Sequence, residues 1–454
     1  MYNQNNLDSM KLADLREIAK NLDIKSITKY KKEELISLII EKENENKNIE
    51  ENETLIFNNE ETENEDENFD LGEKFDAKGL LQVLPDGFGF LRAQMYEASA
   101  DDIYVSPTQI RRFKLKTGDY IQGIARYKKE KDKFSPLIYV SSVNEMKPTD
   151  AYNRENFEEL TPIYPNRRIF LEEDSTNFAS RIMDLVSPIG YGQRGLIVSP
   201  PKAGKTTLLK AIEHSVEKNH DDIKVIVLLI DERPEEVTDI KRFVNQYRDP
   251  NNDFMKTEVV ASTFDELPQN HINISEFVLE RAKRYVEHGK NVLILLDSIT
   301  RLSRAYNIMT PASGKTLSGG LDPIALVGPK KFFGAARNIE NGGSLTIIAT
   351  TLVDTGSRMD DMIYEEFKGT GNMEIFLDRK LSEMRIFPSI NIKKSGTRRD
   401  DLLQSKDEID CMFKIRKSND DELSINMDFI KFIERTKSNN QFLKLINNQV
   451  KLNK

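Results

Sequence analysis

The sequence predicts an α/β protein with a mostly parallel sheet, and three observations carry that prediction. From about residue 180 onward, short and nearly continuous apolar segments at 196–199, 224–230, 291–296 and 344–350 alternate with helical patterns, as strands buried on both faces do. One of them, Leu196-Ile197-Val198, leads into Ser199-Pro200-Pro201-Lys202-Ala203-Gly204-Lys205-Thr206-Thr207 and then into a helical pattern over 208–212. Two others end in acids, Ile230-Asp231-Glu232-Arg233 and Leu295-Leu296-Asp297-Ser298. In parallel sheets the carboxyl ends of the strands face the crevice where ligands bind.

The loop after the first of these strands reads as a phosphate cradle, because amides of a tight loop and of a helix N-terminus converge there on an anion. Pro201, Lys202, Ala203, Gly204, Lys205, Thr206 and Thr207 form it; Lys205 is placed to reach the β- and γ-phosphates and the Thr206 hydroxyl to ligate magnesium. Ser199 stands where the usual pattern begins with glycine, and a small residue still permits the turn. ATP and Mg²⁺ are the expected cofactors. A second Gly314-Lys315-Thr316 has Met309 at its first position and follows a helical pattern with Pro311, not a strand, so it is not read as a nucleotide loop. Asp297 suits the second magnesium-holding position of a phosphate-loop ATPase. Glu232 suits the carboxylate that orients and deprotonates the attacking water. Either acid alone also fits a helix N-cap.

The remaining elements follow in chain order. Residues 1–42 carry two helical patterns, Leu12/Leu15/Ile18/Ala19/Leu22 and Leu35/Ile36/Ile39/Ile40, and predict a small helical module. Residues 43–76 read as a disordered acidic linker. Residues 41–70 hold thirteen Asp/Glu against two Lys, a net of −11 in a chain of net −9, so the rest sums to +2. Residues 77–147 hold short apolar runs between turn signals such as Pro85-Asp86-Gly87 and Thr117-Gly118-Asp119, which suggests a small β-barrel. Residues 148–180 are the connector, 181–454 the α/β domain with C-terminal helices, and 245–256 an exposed polar insertion. No run of eighteen apolar residues appears and nothing suggests a signal peptide or a membrane span, and the single cysteine, Cys411, with four histidines in no Cys/His cluster, fits a reducing cytoplasm without structural zinc.

Three features stay open on the residues alone. In the barrel, Asp86-Gly87-Phe88-Gly89-Phe90-Leu91-Arg92 puts two aromatics on one face of a strand beside glycines, with Arg92, Arg111, Arg112 and Lys133 nearby. That suits a stacking platform for single-stranded nucleic acid, and it equally suits inward core residues. Ser395-Gly396-Thr397-Arg398-Arg399 offers either an arginine reaching a neighbour's γ-phosphate or two solvated charges, the latter favoured by sequence alone. Arg385-Ile386-Phe387-Pro388 places an aromatic either on adenine or, the safer reading, in the core.

Over roughly residues 77–435 the chain resembles the family of bacterial transcription termination factor Rho. The resemblance rests on residues 86–92, Asp101-Asp102-Ile103-Tyr104-Val105-Ser106-Pro107, Ser187-Pro188-Ile189-Gly190, 200–206, 228–237, 295–301, Phe332-Phe333-Gly334-Ala335-Ala336-Arg337-Asn338, 363–372 and 395–398. It implies a homohexameric ring, with an N-terminal helical module, an OB-type barrel as primary RNA site, and a RecA-like phosphate-loop ATPase core whose ATP sites lie between subunits. Carried over, Lys202, Lys205 and Thr206 hold phosphates and magnesium, Glu232 the attacking water, Asp297 magnesium and Phe387 adenine. Arg398 becomes a finger supplied in trans, assisted by Arg233 and Arg385. The pyrimidine-recognition positions fall on Phe88, Phe90, Arg92, Tyr104, Asp132, Lys133 and Phe134, with Phe134 where tyrosine is usual and Asp132 where glutamate is. A central-pore RNA site falls on Lys315 and on Arg358, where lysine is common.

The implied activity is an RNA-dependent ATPase and RNA–DNA helicase that binds pyrimidine-rich nascent RNA and releases it from RNA polymerase. A Nus-type elongation factor is a further implied partner, and no membrane is involved. A rotary-ATPase catalytic subunit and a passive single-strand RNA-binding protein are the rivals.

Overall fold

The computed structural model describes residues 73–129, 132–246, 257–418 and 421–452, together with Lys32. The expected helical module (Lys32 apart), the acidic segment up to residue 72 and nearly all of the 245–256 insertion lie outside the described residues.

Strands β1 (Lys74–Val83), β2 (Gly89–Arg92), β3 (Ile103–Val105), β4 (Tyr120–Arg126) and β5 (Ser135–Val143) close into a barrel in the order β1-β2-β3-β5-β4. Its interior is filled by Ala77, Leu81, Leu91, Ile103, Val105, Ile121, Leu137 and Val140. The first strand starts at Lys74, inside the stretch read from sequence as linker. Lys74-Phe75-Asp76-Ala77 alternates polar and apolar residues and pairs with β4 from Arg126 to Gly123, so cross-strand pairing extends the strand past the point where the run of apolar residues begins. Helix α1 (Pro107–Arg112) lies between β3 and β4, held by a capping box of Ser106 and Gln109.

The connector carries α2 (Pro148–Tyr152), β6 (Pro162–Ile163) and β7 (Arg168–Ile169), and β6 pairs with β13 (Arg337–Ile339). It is therefore built into the second domain's sheet instead of running free. Helix α3 (Phe178–Val186) and β8 (Ile189–Gly190) follow.

The main sheet alternates strand and helix as expected. It runs β9 (Arg194–Ser199), α4 (Lys205–Asn219), β10 (Ile223–Glu232), α5 (Pro234–Asn245), β11 (Thr257–Thr263), α6 (Pro268–Glu287), β12 (Asn291–Asp297), α7 (Ile299–Met309), α8 (Val327–Gly334), β13, β14 (Ser344–Leu352), α9 (Arg358–Lys368), β15 (Met373–Phe376), α10 (Arg379–Glu383) and β16 (Gly396–Thr397). Spatial order is β11-β10-β12-β14-β9-β15-β16, parallel from β11 to β15, with β16 antiparallel at the edge. Helices α11 (Lys406–Arg416), α12 (Glu422–Glu434) and α13 (Asn439–Leu452) complete the chain.

Strand β10 shows why these segments read as unbroken apolar runs. Val225, Val227 and Leu229 enter the core on one face of the sheet, and Ile226, Leu228 and Ile230 the core on the other. Barrel and sheet belong to one unit, Gly72–Lys454. Arg281 on α6 joins them: its guanidinium is fully buried and donates to Gly118 O at 3.2 Å, Asn144 Oδ1 at 2.8 Å and Tyr285 Oη at 2.7 Å. Tyr285 donates to Glu258 of β11 at 3.0 Å, and Tyr96 of the barrel bonds the same carboxylate. Among the described residues no helix is long and apolar enough to cross a membrane.

Candidate functional site

The carboxyl ends of β9, β10 and β12 converge at one end of the sheet. Gly204 caps α4 with φ of +89°, a conformation glycine adopts without penalty, and so turns the chain from strand to helix. Lys205 is the first residue of that helix, and its Nζ lies 2.6 Å from Asp297 Oδ1 and 3.0 Å from Glu232 Oε1. Asp297 and Glu232 are 1% and 2% exposed, so each acid needs a partner. Thr350 on the neighbouring strand β14 donates to Asp297 Oδ1 at 2.7 Å.

Burial opposes the charge of Lys205, yet the two carboxylates more than offset that cost and hold its pKa above the ordinary lysine value. Burial, then repulsion from Asp297, raises the Glu232 pKa, with Lys205 and Arg301 pulling the other way. Glu232 faces inward because the register of β10 against β11 slips between Ile230 and Glu232, with Asp231 in the left-handed region at φ of +58°. Arg301, in the first turn of α7, approaches Glu232 Oε2 at 3.5 Å and Asp231 Oδ2 at 3.9 Å. Sequence reading assigned Arg301 no role; its only signal is its place four residues after Asp297.

The rest of the expected phosphate loop surrounds this cluster. Pro201, Lys202 and Thr207 are exposed, Thr206 half-buried, and Ala203 buried, its carbonyl accepting from Ser389 Oγ at 2.7 Å. Phe387 is 46% exposed and lines a cavity of about 460 Å³ together with Lys202, Gly204, Thr207 and Phe178. The safer core reading of Phe387 is thereby overturned, because the turn Phe387-Pro388 holds the ring against the loop at the surface of the domain. Arg233, before α5, and Arg385, at φ of +61°, are both exposed, and Arg301, not either of these, meets Glu232.

Arg398 stands elsewhere. Its amide donates to Asn372 O at 2.8 Å, just before β15, at the amino end of the parallel strands and so opposite the phosphate loop. The span of β9 separates the two ends by about 20 Å at roughly 3.3 Å per residue, beyond the reach of an arginine side chain. Arg194 and Arg337 lie beside it, and burial together with the like charges of Arg337 and Arg398 depresses the Arg194 pKa. Among the described residues no carboxylate comes within ion-pair distance of any of the three.

In the barrel, Phe88, Phe90, Tyr104 and Phe134 are half-buried while their strand neighbours Leu91, Ile103 and Val105 are core, so the rings occupy the outer face. Phe90 pairs directly with Tyr104 across β2 and β3. Ring centroids are 5.8 Å apart for Phe88–Phe90, 5.7 Å for Phe88–Tyr104 and 4.7 Å for Phe90–Phe134. Arg92 lies 5.5 Å over the Phe90 ring, fixed by Gln82 at 2.6 Å and by buried Asp102, and Lys133 lies 5.8 Å over Phe134. Asp132 accepts from Lys129 N at 3.2 Å and pairs with Arg126 at 2.8 Å, and those bonds keep its pKa below the usual carboxylate value.

Lys315 and Arg358 are exposed on two segments that touch: a Cβ on Gly319 would meet Met359 N at 2.4 Å. The structure therefore assembles the aromatic face, the acid–lysine cluster and the Lys315/Arg358 pair of loops as three separate places.

The chain matches "Rho termination factor, RNA-binding domain" over residues 77–149, "ATP synthase alpha/beta family, nucleotide-binding domain" over 179–397, and "Rho termination factor, N-terminal domain" over 6–48. It is 50% identical to transcription termination factor Rho of Bacillus subtilis over 446 residues, covering 98% of this chain and 96% of that protein. With the Rho protein of Pseudomonas aeruginosa it shares 54% over 378 residues, 82% of this chain and 88% of the other. Among solved structures, an ATPase of a bacterial type III secretion system aligns with TM-score 0.52 and 24% identity over 64% of this chain and 86% of its own, a likeness of fold. The fold is that of a RecA-like phosphate-loop ATPase joined to an OB-type barrel, and the protein is an RNA-binding ATPase. The chain belongs to the transcription termination factor Rho family.

Proposed function

We propose that this protein is an ATP-driven, RNA-dependent translocase that binds pyrimidine-rich nascent RNA on its barrel and releases it from RNA polymerase. The observation that carries this reading is the buried Glu232–Lys205–Asp297 cluster at the mouth of a phosphate loop, in a chain whose barrel presents four clustered rings beside Arg92 and Lys133. Glu232 orients the attacking water and takes its proton, a task its raised pKa favours. Lys205 and Lys202 hold phosphate oxygens, and Phe387 stacks on the base. The oxygen-only donor set of Asp297 and Thr206 suits Mg²⁺, a hard cation that prefers such ligands. Bound magnesium supplies charge neutralisation at the β/γ-phosphate oxygens.

Arg398 lies too far from its own chain's Lys205 to serve it, which supports a site completed by a second subunit and, with it, the homohexameric ring. Arg194 and Arg337 add positive charge beside it, and the exposed Arg233 and Arg385 assist it in this reading. RNA leaving the barrel passes Lys315 and Arg358. Cytoplasmic location and contact with a Nus-type elongation factor follow from this reading.

ATPase measurements with oligo(C), oligo(U) and duplex DNA test it. Stimulation by the pyrimidine RNAs and not by the duplex is expected. Turnover indifferent to RNA points to a rotary-ATPase relative, and RNA binding without turnover to a passive binder; either overturns the proposal.

A further inference from the structure

The corner where β11 turns into α6 bonds the backbone of Glu232, the residue that carries the water-activating carboxylate. Phe264 N donates to Glu232 O at 3.1 Å, so the corner grips β10 just after its left-handed residue Asp231. The corner is itself tied to Glu266: Thr263 donates to Oε1 through N at 2.9 Å and through Oγ1 at 3.4 Å, and Ser262 Oγ donates to Oε2 at 3.0 Å. Behind it lies His271, 4% exposed on the first turn of α6, with Nδ1 2.7 Å from Ser262 Oγ. Since the Ser262 hydroxyl proton goes to Glu266, the imidazole donates to the Ser262 oxygen, giving the relay His271–Ser262–Glu266. Burial lowers the His271 pKa, with Asp231 and Glu266 opposing, which favours the neutral ring such a relay uses.

We propose that His271 is a positioning residue for Glu232, acting through Ser262 and Glu266 to hold the 263–267 corner that fixes the Glu232 backbone. This deepens the reading of Glu232 as the group that activates water and rests on it. A bulge with a non-glycine residue at positive φ persists only where its surroundings over-determine it, and the corner is the neighbour that does so on the β11 side. His271 is buried behind the corner and bonds Ser262; its contribution is to the orientation of the carboxylate, so kcat carries the effect and ATP affinity does not.

His271→Ala is expected to lower RNA-stimulated kcat by about tenfold with KM for ATP and oligo(C) binding within about twofold of the parent, since a small misplacement of a reacting group costs rate and not affinity. His271→Asn, whose amide N–H can replace the Nδ1 donor, is expected to recover to within about threefold. In a Glu232→Gln background His271→Ala is expected to add no further loss, because both changes act on one step. Should His271→Ala fail to fold, Ser262→Ala removes the same relay and carries the same expectation. Wild-type kcat in the folded variant, a rise in KM alone, an Asn variant as poor as Ala, or an additive loss on Glu232→Gln overturns the proposal. Full activity of Glu232→Gln by itself would instead overturn the underlying assignment of Glu232.

Discussion

The tripeptide Gly-Lys-Thr occurs twice, and the two copies have little in common beyond a glycine at positive φ. Gly204 and Gly314 stand at +89° and +80°, so in both places the letters encode a turn. At 204–206 the turn joins β9 to α4, and the lysine amine is enclosed by two buried acids. At 314–316 it lies in an exposed loop after α7, held by its own Ser313, which donates to Asp322 through N at 2.7 Å and Oγ at 2.9 Å. A lysine's chemistry is set by what surrounds its amine: the first is desolvated and compensated, the second stands in water.

That contrast breaks if Lys205→Ala is tolerated. Turnover is expected to vanish, since a charge at the phosphates is lost in both ground and transition states, while RNA binding to the barrel stays nearly intact. Single-turnover ATP hydrolysis and an oligo(C) titration check both halves.

Arg398→Ala should cost about 10³-fold in rate, the low end of the range for arginine fingers, with ATP binding and assembly retained. Mixing it with Lys205→Ala subunits should restore some activity, because some interfaces then join an intact loop to an intact arginine. No recovery in verified mixed assemblies removes the site between subunits.

The aromatic face sharpens the comparison from the barrel side. Phe90→Ala is expected to weaken oligo(C) binding by about 1–3 kcal/mol with little change in melting temperature. A drop of about 3–5 kcal/mol in stability with normal binding would mark the ring as packing. Smallest is Lys315→Ala: losing one charge-assisted contact of about 1.5 kcal/mol should lower RNA-stimulated turnover by about tenfold without changing ATP affinity. An effect equal to that of Lys205→Ala would erase the difference between the two loops.

The strands at the centre of the sheet were legible because burial on both faces leaves an unbroken apolar run, as in Val225 to Ile230. The outer strands were not. Strand β11 reads Thr-Glu-Val-Val-Ala-Ser-Thr and β15 is four residues long, so neither stands out from loop by periodicity. The loop, Glu232 and Asp297 were legible from strand ends followed by characteristic residues. Arg301, His271 and the neighbours of Arg398 were not, because each acts on residues far away in sequence.

By itself the sequence determined the class of fold, the phosphate loop, the two acids and the family, since strand burial and turn chemistry are local and leave local patterns. Tertiary structure decided which side of the barrel Phe90 faces, that Phe387 is a surface ring beside the loop, and that Arg398 lies at the wrong end of its own sheet to serve its own site. Those outcomes depend on pairing register and strand order, which bring together residues that no local pattern connects.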